Sequence, residues 1–127
     1  MNTFITPASL AAPAASYSLA VRSTAGSELL HTSGIVGTRP DGSIADNVSE
    51  QAGEVWQSLL VLIGEAGFAV TDIVSYTTYV VAGQELGAVM AARDSALAGH
   101  RSASTLIVVP TLARPEWLVE IAAIAAK

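Results

Sequence analysis

Arg101-Ser-Ala-Ser-Thr-Leu-Ile-Val-Val-Pro110 is followed, across a connection bounded by Pro110 and Pro115, by Leu118-Val-Glu-Ile-Ala-Ala-Ile-Ala125. Reading these two apolar runs as strands decides the fold. Thr105 to Val109 is dominated by β-branched residues, which pack well on a pleated surface. Leu118 to Ala125 is apolar apart from one carboxylate, Glu120. A charge inside a β-run is costly unless it is solvated or used, so Glu120 is the first candidate for function.

Upstream, Ile73 to Val81 is a third strand of β-branched and aromatic residues. Glu85 to Leu97 carries Leu86, Val89, Met90, Ala92 and Ala96 and reads as a helix ended by Gly99. A longer helix precedes that strand. Asn47 with Glu50 has the form of a capping box. Val48, Ala52, Val55, Leu59, Leu62, Ile63 and Ala66 recur at three- and four-residue steps, and Gly67 closes the run. Tyr17 to Arg22 and Leu29 to Ser33 alternate apolar and polar residues around the turn Ser23-Thr-Ala-Gly26, which predicts a β-hairpin. Pro40-Asp-Gly42 marks another turn. Met1 to Ser16, rich in Ala, Pro and Ser, reads as an extended lead-in. The order β-β-α-β-α-β-β predicts an α+β fold, a sheet with two helices packed on one face, in a single domain over residues 1–127.

Composition narrows the function. The chain has 127 residues, 51% hydrophobic and only 13% charged, against a usual charged share of about 25%. So little polar surface points to apolar area covered by another subunit. Six basic residues (Arg22, Arg39, Arg93, Arg101, Arg114, Lys127) face eleven acidic ones, a formal charge of −5. They form no stripe able to neutralise phosphates, so nucleic acid is not an expected partner. The absence of cysteine removes disulfides and thiolate chemistry and fits the cytoplasm. No apolar run approaches the ~18 residues of a membrane span. Ala8-Ser-Leu-Ala-Ala-Pro-Ala-Ala-Ser16 has the small residues of a signal-peptide end, but no basic residue precedes Arg22 and prolines interrupt the run, so export is not expected. His31 and His100 lack carboxylates at ligand spacing, so no metal is expected, and no phosphate loop or nucleophile elbow is present.

Several pieces, in order, carry a resemblance: Ala12-Pro13 leading to Tyr17-Ser18; Thr32-Ser-Gly34; Gln51; Glu65-Ala-Gly67; Asp72-Ile-Val74 with Thr77 and Thr78; and Val119-Glu-Ile121 with Ala123-Ile-Ala125. Together they resemble the RidA/YjgF family of reactive-imine deaminases across nearly the whole chain. The resemblance implies a chorismate-mutase-like α+β fold, a homotrimer, and small-molecule sites in the clefts between subunits, with no cofactor. In the family's deaminases an arginine two residues after a proline, at the start of the penultimate strand, clamps the substrate carboxylate. The matching position is read as Ser104, with Ser102 in the place of the proline. The chain then resembles the branch lacking that arginine. The family's asparagine of the second helix falls near Met90.

Within that resemblance Glu120 occupies the catalytic position, orienting water or moving a proton, and Tyr17 supplies a phenol or a wall of the cleft. Ser33 and Gly34 would offer a hydroxyl and a backbone N–H to a substrate oxygen. Ser104 and Thr105 would hydrogen-bond a neutral oxygen, and Arg101 or Arg93 would stand in for the missing cation. The implied activity is hydrolysis or tautomerisation of a small imine or enamine, and with Ser104 at the arginine position 2-imino acids are not the expected substrates. The alternatives are a small-molecule-binding or regulatory trimer without turnover and, against the charge balance, an endoribonuclease or translation inhibitor.

Overall fold

The computed structural model describes residues 1–13 and 15–127; Ala14, in the lead-in, lies outside the described residues. The first helix, α1 (Val48–Glu65), starts where the sequence places it, because the Asn47 Oδ1 accepts the Glu50 N–H at 2.8 Å. The reciprocal half of a capping box is not made, since the Glu50 carboxylate faces Arg39 at 3.5 Å. The helix ends in a Schellman turn. Gly67 takes φ +81°, its N–H reaches the Gly64 carbonyl at 2.9 Å, and the Phe68 N–H reaches that of Ile63 at 3.0 Å. The apolar face carries Val55, Trp56, Leu59 and Ile63 into the core; each fully buried large side chain stabilises by about 1.5–3 kcal/mol. The second helix, α2 (Leu86–Leu97), packs beside α1.

Both helices lie on one face of a five-stranded sheet. Its strands are β3 (Leu29–His31), β4 (Ile35–Val36), β5 (Ile73–Val81), β6 (Ala103–Val109) and β7 (Val119–Ala126). The spatial order is β3-β7-β5-β6, with β4 also paired to β7. β5 and β6 run parallel, as the α2 crossover between them requires, and β7 is antiparallel to β5, β3 and β4. Period-two alternation sorts the side chains. Val119, Ile121, Ala123 and Ala125 of β7, with Ile73, Tyr76, Thr78 and Val80 of β5, are buried under the helices. Glu120, Ala122 and Ile124, with Thr77, Tyr79 and Val81, lie half-buried on the opposite, open face.

The N-terminal half differs from the expected hairpin. Part of the lead-in is itself a strand, β1 (Asn2–Ile5), and it takes β2 (Ala20–Ser23) as its antiparallel partner in a separate two-stranded ribbon. β3 pairs with the end of β7 instead, Leu30 facing Ala125. Local alternation fixes that a segment is extended but not which strand it joins. Here Leu29 and Leu30 add to the edge of an existing sheet, a pairing that an adjacent turn cannot announce. The remaining elements, α1, β5, α2, β6 and β7, follow the predicted order, with β6 beginning two residues earlier than Thr105.

Candidate functional site

Glu120 is the second residue of β7, between the buried Val119 and Ile121, and strand alternation turns it to the open face. Its register partners are Val36 in β4 and Tyr79 in β5. The chain between β3 and β4 shapes the space above it. Four steps from His31 to Ile35 face three steps from Ile124 to Ile121, so one extra residue bulges out over Thr32-Ser33-Gly34. Thr32 pins the bulge to β7 twice: its N–H donates to the Ala123 carbonyl at 3.0 Å, and its Oγ1 accepts the Ala123 N–H at 2.9 Å. The same hydroxyl donates to the Ser33 carbonyl at 2.8 Å. Gly34 thereby lies against the Glu120 side chain. A Cβ added there would stand 2.7 Å from Glu120 Oε1 and 2.8 Å from Cδ, so glycine is what lets the carboxylate occupy this place. Ser33 and Gly34 are exposed, and among the described residues their N–H groups have no acceptor. A carboxylate against Gly34, in a bulge whose Ser33 and Gly34 amides are unspent among the described residues, can accept a proton while an amide holds an oxygen or an anion.

The second cluster lies at the start of β6. Arg101 is exposed, two residues before the strand. Arg39, Arg93, Arg114 and Lys127 each pair with a carboxylate, and Arg22 contacts Thr3 Oγ1 at 3.5 Å. The Arg101 guanidinium has no such partner among the described residues. The backbone of Tyr17, itself half-buried, runs near the start of β6 because the next residue, Ser18, forms a parallel bridge with Ala103.

Other candidates lie elsewhere. Ser104 is in register with Tyr76 and points to the helix side, away from Glu120. Arg93 is buried there too and binds Asp94 at 2.9 Å. Burial holds the Tyr76 phenol above its ordinary pKa, and the neighbouring Ser104 hydroxyl opposes that rise, as Arg93 does more weakly. None of these contacts gives the Tyr76 hydroxyl an aligned hydrogen bond among the described residues. Thr105, in register with Thr77, shares the Glu120 face but is exposed on the edge strand. Sequence reasoning did not single out Ser18 and Thr32 as supports, although both stood inside the quoted pieces; their roles depend on which strand each meets.

Glu120 and Arg101 do not meet within one chain. Glu120 is level with Tyr79, hence with Ile107 of β6. Arg101 lies six residues before Ile107, about 20 Å along the strand direction at ~3.3 Å per residue, and β6 is two strands away. A groove of 440 Å³ runs beside β4, between Ile35, Val36, Arg39, Pro40, Val61 and Leu62, and Glu120 is not among its walls. Among the described residues no group of three or more His, Cys, Asp or Glu is placed to hold a metal, and no helix is long and apolar enough to cross a membrane.

Two helices behind a mixed sheet, with a glutamate near the start of β7 on the open face, make an α+β protein. A conserved Rid-family protein of unknown function from Yersinia pestis superposes with a TM-score of 0.90 at 29% identity, over 99% of this chain and 98% of that one. A YjgF-family member from Mycobacterium tuberculosis gives 0.69 at 24% identity over 100% of both chains, and Escherichia coli TdcF with bound serine gives 0.73 at 23% identity over 87% of each. Among curated proteins none matches by sequence. The chain belongs to the endoribonuclease L-PSP family, also called YjgF/RidA, whose sequence model matches residues 8–127.

Proposed function

We propose that this protein hydrolyses or tautomerises a small imine or enamine that carries a carboxylate, at a cleft completed by a second copy of the chain. The observation that carries the reading is the pair of half-sites. Glu120 with the Ser33 and Gly34 amides forms one; the free Arg101 guanidinium with Tyr17 forms the other; roughly 20 Å of strand separates them in one chain. A small molecule touching both needs two protomers, which favours the homotrimer with inter-subunit clefts that the family resemblance implies. The apolar edge of β6, with Leu106, Ile107 and Val108 all more than a third exposed, supports such an assembly.

This reading moves the carboxylate clamp from Ser104 to Arg101. Ser104 faces the helices, whereas Arg101 precedes the penultimate strand and has a fork geometry suited to a carboxylate. The serine bound to the Escherichia coli relative carries a carboxylate and an amine, the groups this arrangement would hold. In the hydrolysis, Glu120 takes a proton from water as the water oxygen attacks the imine carbon, and the C=N π electrons move to nitrogen. Glu120 passes that proton to the nitrogen, giving a neutral tetrahedral amino alcohol. Glu120 then accepts the proton of the adduct hydroxyl and delivers it to the nitrogen as the C–N bond breaks, which releases ammonia, leaves a ketone and returns Glu120 to its carboxylate form. In the tautomerisation the same carboxylate carries a proton between nitrogen and carbon. The reaction needs no cofactor, and the cysteine-free chain fits the cytoplasm. The ribonuclease label in the family's name finds no support in an acidic chain whose arginines are mostly paired.

The test is release of 2-oxo acid from freshly generated 2-iminopropionate, measured above the buffer rate. Wild type is expected to accelerate it, and Glu120→Gln and Arg101→Ala each to lose about 100-fold or more, the usual scale for a proton-transfer or clamping group. Ser104→Arg is expected to add nothing. An inert wild type, or a Glu120→Gln variant with full turnover, would sink the mechanism.

A further inference from the structure

Arg101 joins a side chain that has no partner among the described residues to a tethered backbone, and that combination has a physical use. The chain leaves α2 through two consecutive left-handed residues, Ala98 at φ +48° and Gly99 at φ +90°. Regular pairing with β5 resumes only at Ala103. Between these points His100 is held three ways: its N–H donates to the Leu97 carbonyl at 2.9 Å, its Nε2 contacts the Ile73 carbonyl at 2.8 Å, and its ring stands edge-on to Phe4 with centroids 5.1 Å apart. On the far side of Arg101, Ser18 does the holding. Its hydroxyl donates to the Arg101 carbonyl, and its N–H donates to the Ser102 carbonyl at 2.9 Å. Ser18 is itself buried, 5% exposed.

We propose that Ser18 is a positioning residue for Arg101: it fixes the backbone beneath the guanidinium so that a carboxylate meets the arginine fork in one orientation. This rests on the reading of Arg101 as the carboxylate-binding group. A fork that binds two oxygens in parallel is orientation-sensitive, and a long side chain on a loose backbone loses more freedom on binding. Tethering the peptide removes part of that cost before the ligand arrives. Because Tyr17 precedes Ser18 directly, the same contact anchors the backbone that carries the phenol to the backbone that carries the guanidinium.

The test separates positioning from plain structural support by using a ligand with and without the charge. L-Serine and L-serine methyl ester are titrated into the full-length protein, wild type and variants, and followed by amide chemical shifts. Wild type is expected to prefer serine. Ser18→Ala is expected to weaken serine by about three- to tenfold, the scale of one lost hydrogen bond, with the ester unchanged; Ser18→Thr, which keeps the hydroxyl, should restore it. Equal weakening of both ligands together with a lowered Tm would reduce Ser18 to a structural staple and overturn the proposal, as would unchanged serine binding. Arg101→Ala tells the two levels apart. If it abolishes the preference for serine while Ser18→Ala does not, only the positioning role fails. If it leaves the preference intact, or wild type shows none, the Arg101 reading fails and the proposal with it.

Discussion

At Gly34 an absent side chain creates chemistry. The position takes no left-handed φ; what it needs is room, because the Glu120 carboxylate fills the volume a Cβ would claim. Gly34→Ala is therefore expected to displace the tip of a flexible side chain, at a stability cost within about 1 kcal/mol. The same change should remove most ligand turnover, so that rate and Tm part company in parallel assays. Tyr76 presents the opposite case, a polar atom buried without a hydrogen-bond partner among the described residues. Tyr76→Phe is expected to be neutral or to stabilise by up to about 1 kcal/mol, because an unsatisfied hydroxyl is replaced by nothing. It should also change the alkaline limb. Burial raises the folded-state pKa of the phenol above its ordinary value of 10. The unfolded chain then ionises first, so the titration of this group leaves stability constant below pH 10 and lowers it as pH rises beyond that value. The phenylalanine variant should lose less stability in that range, which denaturant titrations at successive pH values would read.

Among the elements, α1 and the approach to β7 are joined by one buried side chain. Gln51 is fully buried; its Nε2 donates to the carbonyls of Ala45 at 2.7 Å and Glu116 at 2.9 Å, and its Oε1 accepts the Leu118 N–H at 2.9 Å. Those contacts set where β7 begins and hence the register that turns Glu120 outward. Gln51→Leu keeps the volume but strands three backbone groups, and a loss of about 3 kcal/mol in chemical denaturation is expected from their desolvation. Helix amphipathicity alone would have marked this position as apolar, and the sequence shows only that it is not. The bulge at Thr32-Ser33-Gly34 is equally invisible to local reading, because an extra residue exists only relative to a partner strand.

For the molecule as a whole, the question is what covers β6. Its free edge carries Leu106 at 37%, Ile107 at 39% and Val108 at 51% exposure, with Ser18 covering only the beginning of the strand at Ala103. An apolar edge strand without a charge or proline is a template for pairing. Val108→Asp adds a charge at a site already exposed in one chain, so the protomer should stay folded by circular dichroism. Light scattering after size exclusion is expected to show a smaller species, and turnover should fall with it. A variant that stays assembled and active would exclude this edge from the interface.

The sequence by itself determined the α+β class, the two helices and the three C-terminal strands, each written in short-range periodicity, and the family through an ordered set of short pieces. It also offered Glu120 as a candidate, because a carboxylate in an apolar strand is costly unless used. Tertiary structure decided the rest. Part of the lead-in became a strand, β3 left β2 for β7, Ser104 and Arg93 went under the helices, and Arg101 emerged, among the described residues, as an exposed cation whose guanidinium has no carboxylate partner. Those outcomes turn on which strand meets which and in what register, and a shift of one residue exchanges the two faces of a sheet without altering the local pattern that a sequence displays.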